Sequence, residues 1–126
     1  MNIRRFGMSF KDAWKGLRFV FMHEQNFRIH CTIGVVVIST TIFLPLATAD
    51  RAIIFLTIAM VLGFELINTA IEKLLDVVNP RLHEQVKLLK DIMAGLVLVS
   101  AGVAAIIGST IFIPALIEYI QPAMLY

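Results

Sequence analysis

Glu65, Asn68, Thr69, Glu72 and Asp76 stand at offsets of three, four, seven and eleven from the first of them. On an α-helix those offsets collect on one face about 16 Å long. Taken alone, Glu72 and Asp76 read as a solvated face just inside a membrane boundary. Glu65 is harder to dismiss, because it lies almost two turns deeper in an apolar stretch, where an ionised side chain costs at least a few kcal/mol. A carboxylate kept at such a position is a functional candidate, and proton acceptance from a substrate is the chemistry it can do.

Two further groups bear on that line. Lys90-Asp91 follows the turn signal Asn79-Pro80, in which Asn can cap the next helix and Pro suits its first position. Counted outward from that turn, Asp91 comes level with Asn68 and Lys90 with about Thr69, although such a pair also suits a snorkelling membrane boundary. Glu24 falls in the middle of an otherwise apolar helical face, where an anion needs a cation to meet it. Glu24 and Glu72 form a natural pair of hard oxygen ligands. With no thiolates beside them they favour magnesium, held by one or two carboxylates together with substrate phosphates. No Gly-x-x-x-x-Gly-Lys-Ser/Thr and no Gly-x-Gly-x-x-Gly occurs, so a nucleotide site would belong to neither the P-loop nor the protein-kinase class. His23, His30 and His83 lack the spacings of zinc or di-iron sites, and the single cysteine, Cys31, reads as a small apolar side chain in a helix.

The elements that must position these groups are set by composition. The 126 residues are 59% hydrophobic and 16% charged, against about half and a quarter for soluble domains. This is a single domain, 1–126, in a membrane, and the net charge of +2 is too small to argue for nucleic acid. Apolar gaps predict three spans at about 31–49, 52–71 and 92–117. Pro45 and Pro114 fall near span ends, where a kink or early stop is tolerable. The charged residues before the first span argue against a secretory signal peptide.

Ten of the eleven Lys and Arg lie before the first span or between the second and third, which predicts a cytoplasmic N-terminus and an outer C-terminus. Residues about 5–28 carry Phe6, Phe10, Ala13, Trp14, Leu17 and Phe21 on one side of a helical wheel and Lys11, Lys15 and Arg18 on the other. That pattern is an amphipathic helix lying on the membrane surface. Ser100, Ala104 and Gly108, with Gly95 and Val99 less cleanly, give the third span a small-residue face for close packing within or between subunits.

Trp14-Lys15-Gly16-Leu17-Arg18, Glu24-x-Asn26-Phe27-Arg28, the run Glu65-Leu66-Ile67-Asn68-Thr69-Ala70-Ile71-Glu72 with Asp76, His83-Glu84 and Lys90-Asp91 together resemble the prokaryotic diacylglycerol kinase and undecaprenol kinase family. The resemblance implies an all-α homotrimer of a surface helix and three transmembrane helices, with active sites shared between subunits. It implies ATP and Mg2+ as co-substrate and cofactor, a lipid alcohol as acceptor, and the bacterial cytoplasmic membrane as location. Glu65 would accept the lipid proton, Glu24 and Glu72 would hold magnesium, and Asn68, Lys90 and Asp91 match catalytic and nucleotide-contacting positions. Arg5 and the stretch Arg81, Leu82, His83 match further nucleotide contacts. Trp14, Arg18, Asn26, Phe27 and Arg28, with Glu65, fall to the lipid side. Asp12 departs from the family's better-known enterobacterial kinase, which has an aromatic nucleotide contact there.

The run from Asn26 to His30 resembles the undecaprenol kinase branch and favours a polyprenol over diacylglycerol. The expected reaction is in-line phosphoryl transfer from ATP, resting on positioning and charge stabilisation. The rival of another class is an oligomeric ion or proton conductor using Glu65 as relay, and a structural subunit without chemistry stands third. A conductor has no need of Glu24, Glu72 and Lys90 converging on the cytoplasmic side, whereas a kinase does.

Overall fold

The computed structural model describes residues 3–78 and 84–121. Four helices account for nearly all of them: α1 (Ile3–His23), α2 (Gln25–Phe43), α3 (Thr48–Val78) and α4 (Glu84–Ile120). The last three are each long and apolar enough to cross a membrane. The protein is an all-α membrane protein of one amphipathic helix followed by three spans.

The surface helix is shorter than the wheel suggested, ending at His23 rather than near residue 28. Glu24 is extended, with φ −104° and ψ 116°, and the backbone polar groups at the break are satisfied from nearby. Arg28 Nη1 donates to the carbonyls of Phe21 and Met22 at 3.1 and 3.0 Å, two acceptors that a helix end leaves open. His23 Nδ1 donates to the Phe19 carbonyl at 2.8 Å, its ring stacked on that of Phe19. Glu24 therefore leaves the wheel of α1 altogether. Among the described residues the apolar face of α1 is left exposed: Phe6, Phe10, Trp14, Leu17 and Phe21 all lie on it.

The first span also ends early, at Phe43 rather than 49. Leu44 precedes Pro45, whose ring excludes the helical conformation from the residue before it, and Leu44 is accordingly extended (φ −98°, ψ 143°). Residues 48 and 49 belong to α3 instead. Pro114 does not stop α4, which runs on through it to Ile120. The hydrogen bond it forfeits is that to the carbonyl one turn earlier. The Asn79-Pro80 turn lies outside the described residues.

Helix α3 is the centre, packing along both α2 and α4. Its buried stripe is Ile54, Thr57, Val61, Glu65, Asn68 and Thr69, a three-and-four repeat that keeps one face turned inward for over a dozen residues. Gly34 marks the close approach of α2, because a Cβ there would come within 3.2 Å of Ile58 Cγ2. Within one chain the small-residue face of α4 is only partly packed. Ser100 is buried, but Ala104 and Gly108 line an apolar cavity of about 520 Å³ between α2, α3 and α4. Apart from the backbone of its own helix, no described residue lies within 4 Å of where a Gly95 Cβ would be.

Candidate functional site

The polar line predicted on one helix face is the inner half of the buried stripe of α3. Glu65 is 2% exposed and Asn68 and Thr69 are also buried, while Glu72 is half-buried and Asp76 exposed. Two oxygens on the buried part, Glu65 Oε1 and Asn68 Oδ1, make no hydrogen bond among the described residues. Each such oxygen costs about 1–3 kcal/mol. Asn68 Nδ2 donates to Glu72 Oε1 across one helical turn at 3.4 Å, which ties the deep and shallow ends of the line together.

Three side-chain contacts link α3 to its neighbours. Lys73, next to Glu72 on α3, reaches across to Glu24 with Nζ 3.0 Å from Oε1. The cation that a misplaced Glu24 demanded is therefore Lys73. Lys90 of α4 donates to Asp76 Oδ1 at 2.6 Å. This differs from the register counted from sequence, which set Lys90 level with Thr69. The contact lies seven residues further along α3 than Thr69. From α2, His30 Nε2 approaches Glu65 Oε1 to 3.1 Å, close but out of line for a hydrogen bond.

Of the anticipated residues, Glu65, Asn68 and Glu72 share one face of α3, and Glu24 is tied to the same helix through Lys73. Lys90 joins α3 through Asp76, and Asp91 is exposed with no ion pair among the described residues. Arg5 is not brought in. It lies on α1 eighteen residues before His23, which is about 27 Å along an unbroken helix. Trp14 and Arg18 are exposed on α1 and Asn26 on α2, whereas Phe27 is buried. Arg28, expected on the lipid side, spends its guanidinium on the end of α1. Asp12 pairs with Lys15 at 2.9 Å on the exposed side of α1. Arg81, Leu82 and His83 lie outside the described residues.

Sequence reasoning passed over His30 and Lys73. Metal-spacing rules do not register a histidine that partners a single carboxylate on another helix. The signal for Lys73 was present, as the only basic residue on α3 near a Glu24 that required one. Among the described residues no three His, Cys, Asp or Glu side chains converge as a complete metal cage. Glu24 and Glu72 offer oxygen donors of the kind a hard divalent ion takes when phosphates supply the rest. The oxygen that Lys73 meets shows that Glu24 is already set to receive a cation.

The sequence matches the prokaryotic diacylglycerol kinase family over residues 11–112. The chain belongs to that family. Its enzyme class, lipid kinase, goes with the membership, and kinases of this kind draw on ATP and a lipid. Among curated relatives, a diacylglycerol kinase of Synechocystis sp. is 40% identical over 112 residues, 88% of this chain and 64% of the relative. The chain therefore spans a little under two thirds of that relative's length. An undecaprenol kinase of Bacillus subtilis is 36% identical over 115 residues, 91% of this chain and 94% of the relative. A diacylglycerol kinase of Escherichia coli K12 is 28% identical over 94 residues, covering 75% and 77% of the two chains. The ion-conductor reading finds no support among these relatives, all of which are named as kinases.

Proposed function

We propose that the protein phosphorylates the hydroxyl of a membrane lipid from ATP and magnesium, with undecaprenol as the acceptor. The observation that carries this reading is a buried carboxylate oxygen and a buried amide oxygen, Glu65 Oε1 and Asn68 Oδ1, both without a hydrogen bond among the described residues. Glu65 is placed deep enough for a membrane alcohol to reach, and Glu24 and Glu72 are placed nearer to water, where phosphates are.

In the proposed step the lipid oxygen forms a bond to the γ-phosphorus while the bond from that phosphorus to the β-bridging oxygen breaks. The leaving pair stays on ADP and the hydroxyl proton passes to Glu65. Glu24 and Glu72 would hold magnesium, which when bound neutralises phosphate charge. Asn68 Oδ1 is free to accept a hydrogen bond from the incoming hydroxyl, while Asn68 Nδ2 steadies Glu72. Lys90 would exchange Asp76 for a phosphate oxygen. The apolar cavity between the three spans has His30 in its wall, and His30 adjoins Glu65. A hydrocarbon chain lying there has its polar end directed at the base.

The polyprenol preference is supported by the near-complete mutual coverage with the B. subtilis undecaprenol kinase. The higher identity to the Synechocystis diacylglycerol kinase favours diacylglycerol as the second reading. A homotrimer is supported by Arg5, which one chain holds far from its own carboxylates and a neighbouring copy could use. Nucleotide contacts by Asp91 and by Arg81 to His83 belong to the same proposal, as do the lipid contacts of Trp14, Arg18, Asn26 and Phe27. The bacterial cytoplasmic membrane, with the N-terminus inside and the C-terminus outside, follows from the distribution of basic residues.

The test is phosphate transfer from ATP to undecaprenol, diacylglycerol and other lipid alcohols in mixed micelles. Transfer to undecaprenol above all others is the expected result, and preferential transfer to diacylglycerol would replace it with the second reading. Near-normal transfer by a folded Glu65→Gln variant would remove the proposed base.

A further inference from the structure

We infer that His30 is the positioning residue for the Glu65 carboxylate, an inference that rests on reading Glu65 as the base. The two residues come from different helices, α2 and α3. Their side chains meet at 3.1 Å, where the Glu65 carboxylate is almost wholly buried and its Oε1 lacks a hydrogen bond. The lysines near the site are already committed among the described residues: Lys73 to Glu24 and Lys90 to Asp76. His30 is what remains for Glu65.

The imidazole needs only a modest turn about its outer torsion, which is broad for histidine, to bring an Nε2–H into line with Oε1. Hydrogen bonds of this kind are often misaligned before substrate binds and tighten afterwards. Once made, the bond fixes the carboxylate's rotation and occupies Oε1, leaving Oε2 to take the lipid proton. It also supplies the donor that a carboxylate held out of water lacks. His30 lines the apolar cavity as well, so one side chain both orients the base and borders the space from which the lipid hydroxyl arrives. In this role His30 acts through Glu65 and makes no contact with nucleotide.

The experiment compares His30→Gln with His30→Leu in the full-length protein, in mixed micelles with lipid alcohol and MgATP. A glutamine keeps an N–H at a similar reach, and a leucine fills the space without one. The expected result is a kcat about tenfold or more lower in H30L, a KM for MgATP within about twofold of the parent, and a kcat restored in H30Q to within roughly threefold of it. Equal kcat values for H30L and H30Q, whether both normal or both reduced, would overturn the role, because a space-filling residue does not distinguish them. If H30L does not fold, His30→Met serves as the donorless variant under the same criterion. Glu65→Gln is assayed in parallel. Activity lost in E65Q but retained in H30L removes only the His30 inference, whereas activity retained in E65Q removes the base itself.

Discussion

The two halves of the buried stripe on α3 handle polarity in opposite ways. In the outer half Thr57 is buried, yet its hydroxyl donates to the Ile53 carbonyl of its own helix at 2.8 Å. Thr41 and Ser100 on the neighbouring helices do the same, to Ile38 and Val97. In the inner half, Glu65 and Asn68 keep oxygens that their own helix cannot satisfy, because a helix presents no free donors along its length. A short hydroxyl is self-sufficient inside a membrane, and a carboxylate or amide oxygen is not. Retained unsatisfied groups therefore mark where a substrate or partner group is to be met, and self-satisfied ones mark packing.

Changes on the inner half should abolish chemistry and leave the helices intact. The largest effect is expected from Glu65→Gln: a fall of about 100-fold or more in lipid phosphorylation, with helix content unchanged by circular dichroism in detergent. Thr57→Val, its counterpart on the outer half, should leave the rate within about twofold, and an equal loss in the two would erase the distinction between the halves.

The metal pair comes next. Glu72→Gln removes one anionic oxygen donor and should raise the magnesium concentration for half-maximal rate by about tenfold, while also loosening Asn68. A magnesium titration of activity reads this directly, and an unchanged midpoint would take Glu72 out of the metal site.

Lys90 and Asp76 separate a structural pair from a functional one. Their ion pair is exposed enough that breaking it should cost less than about 1 kcal/mol. Asp76→Asn should therefore melt nearly as the parent does and keep most activity. Lys90→Met should melt equally well but raise the KM for MgATP. Matching kinetics for the two would mean that Lys90 serves only the pair.

The smallest effect lies at the end of α1. Arg28→Ala removes two hydrogen bonds to helix-end carbonyls, worth about 1 kcal/mol, and should show as a slight loss of stability in denaturant with lipid substrate affinity preserved. A large change in lipid KM without a change in stability would return Arg28 to the lipid side.

Much of this molecule was legible because a bilayer narrows the choices. Charge-free stretches locate spans, and the offsets of Glu65, Asn68 and Glu72 place them on one face whatever surrounds them. The ends of the elements were less legible. Pro45 stops α2 through a local effect visible in sequence, but the break at Glu24 depends on Arg28 folding back on α1, a contact across a junction that a wheel extrapolates through. Register between α3 and α4 was miscounted for a similar reason, since a connection of unknown geometry sets how far one helix slides against the other.

Sequence by itself determined the membrane setting, the polar line of α3 and the family, because each is written in composition, in period or in a contiguous run of residues. Only the tertiary structure decided which cation meets which anion. Lys73 reaching Glu24, Lys90 reaching Asp76 and His30 reaching Glu65 are contacts between side chains on different elements. Their existence depends on distances of a few ångströms that packing sets and that no spacing along one chain encodes.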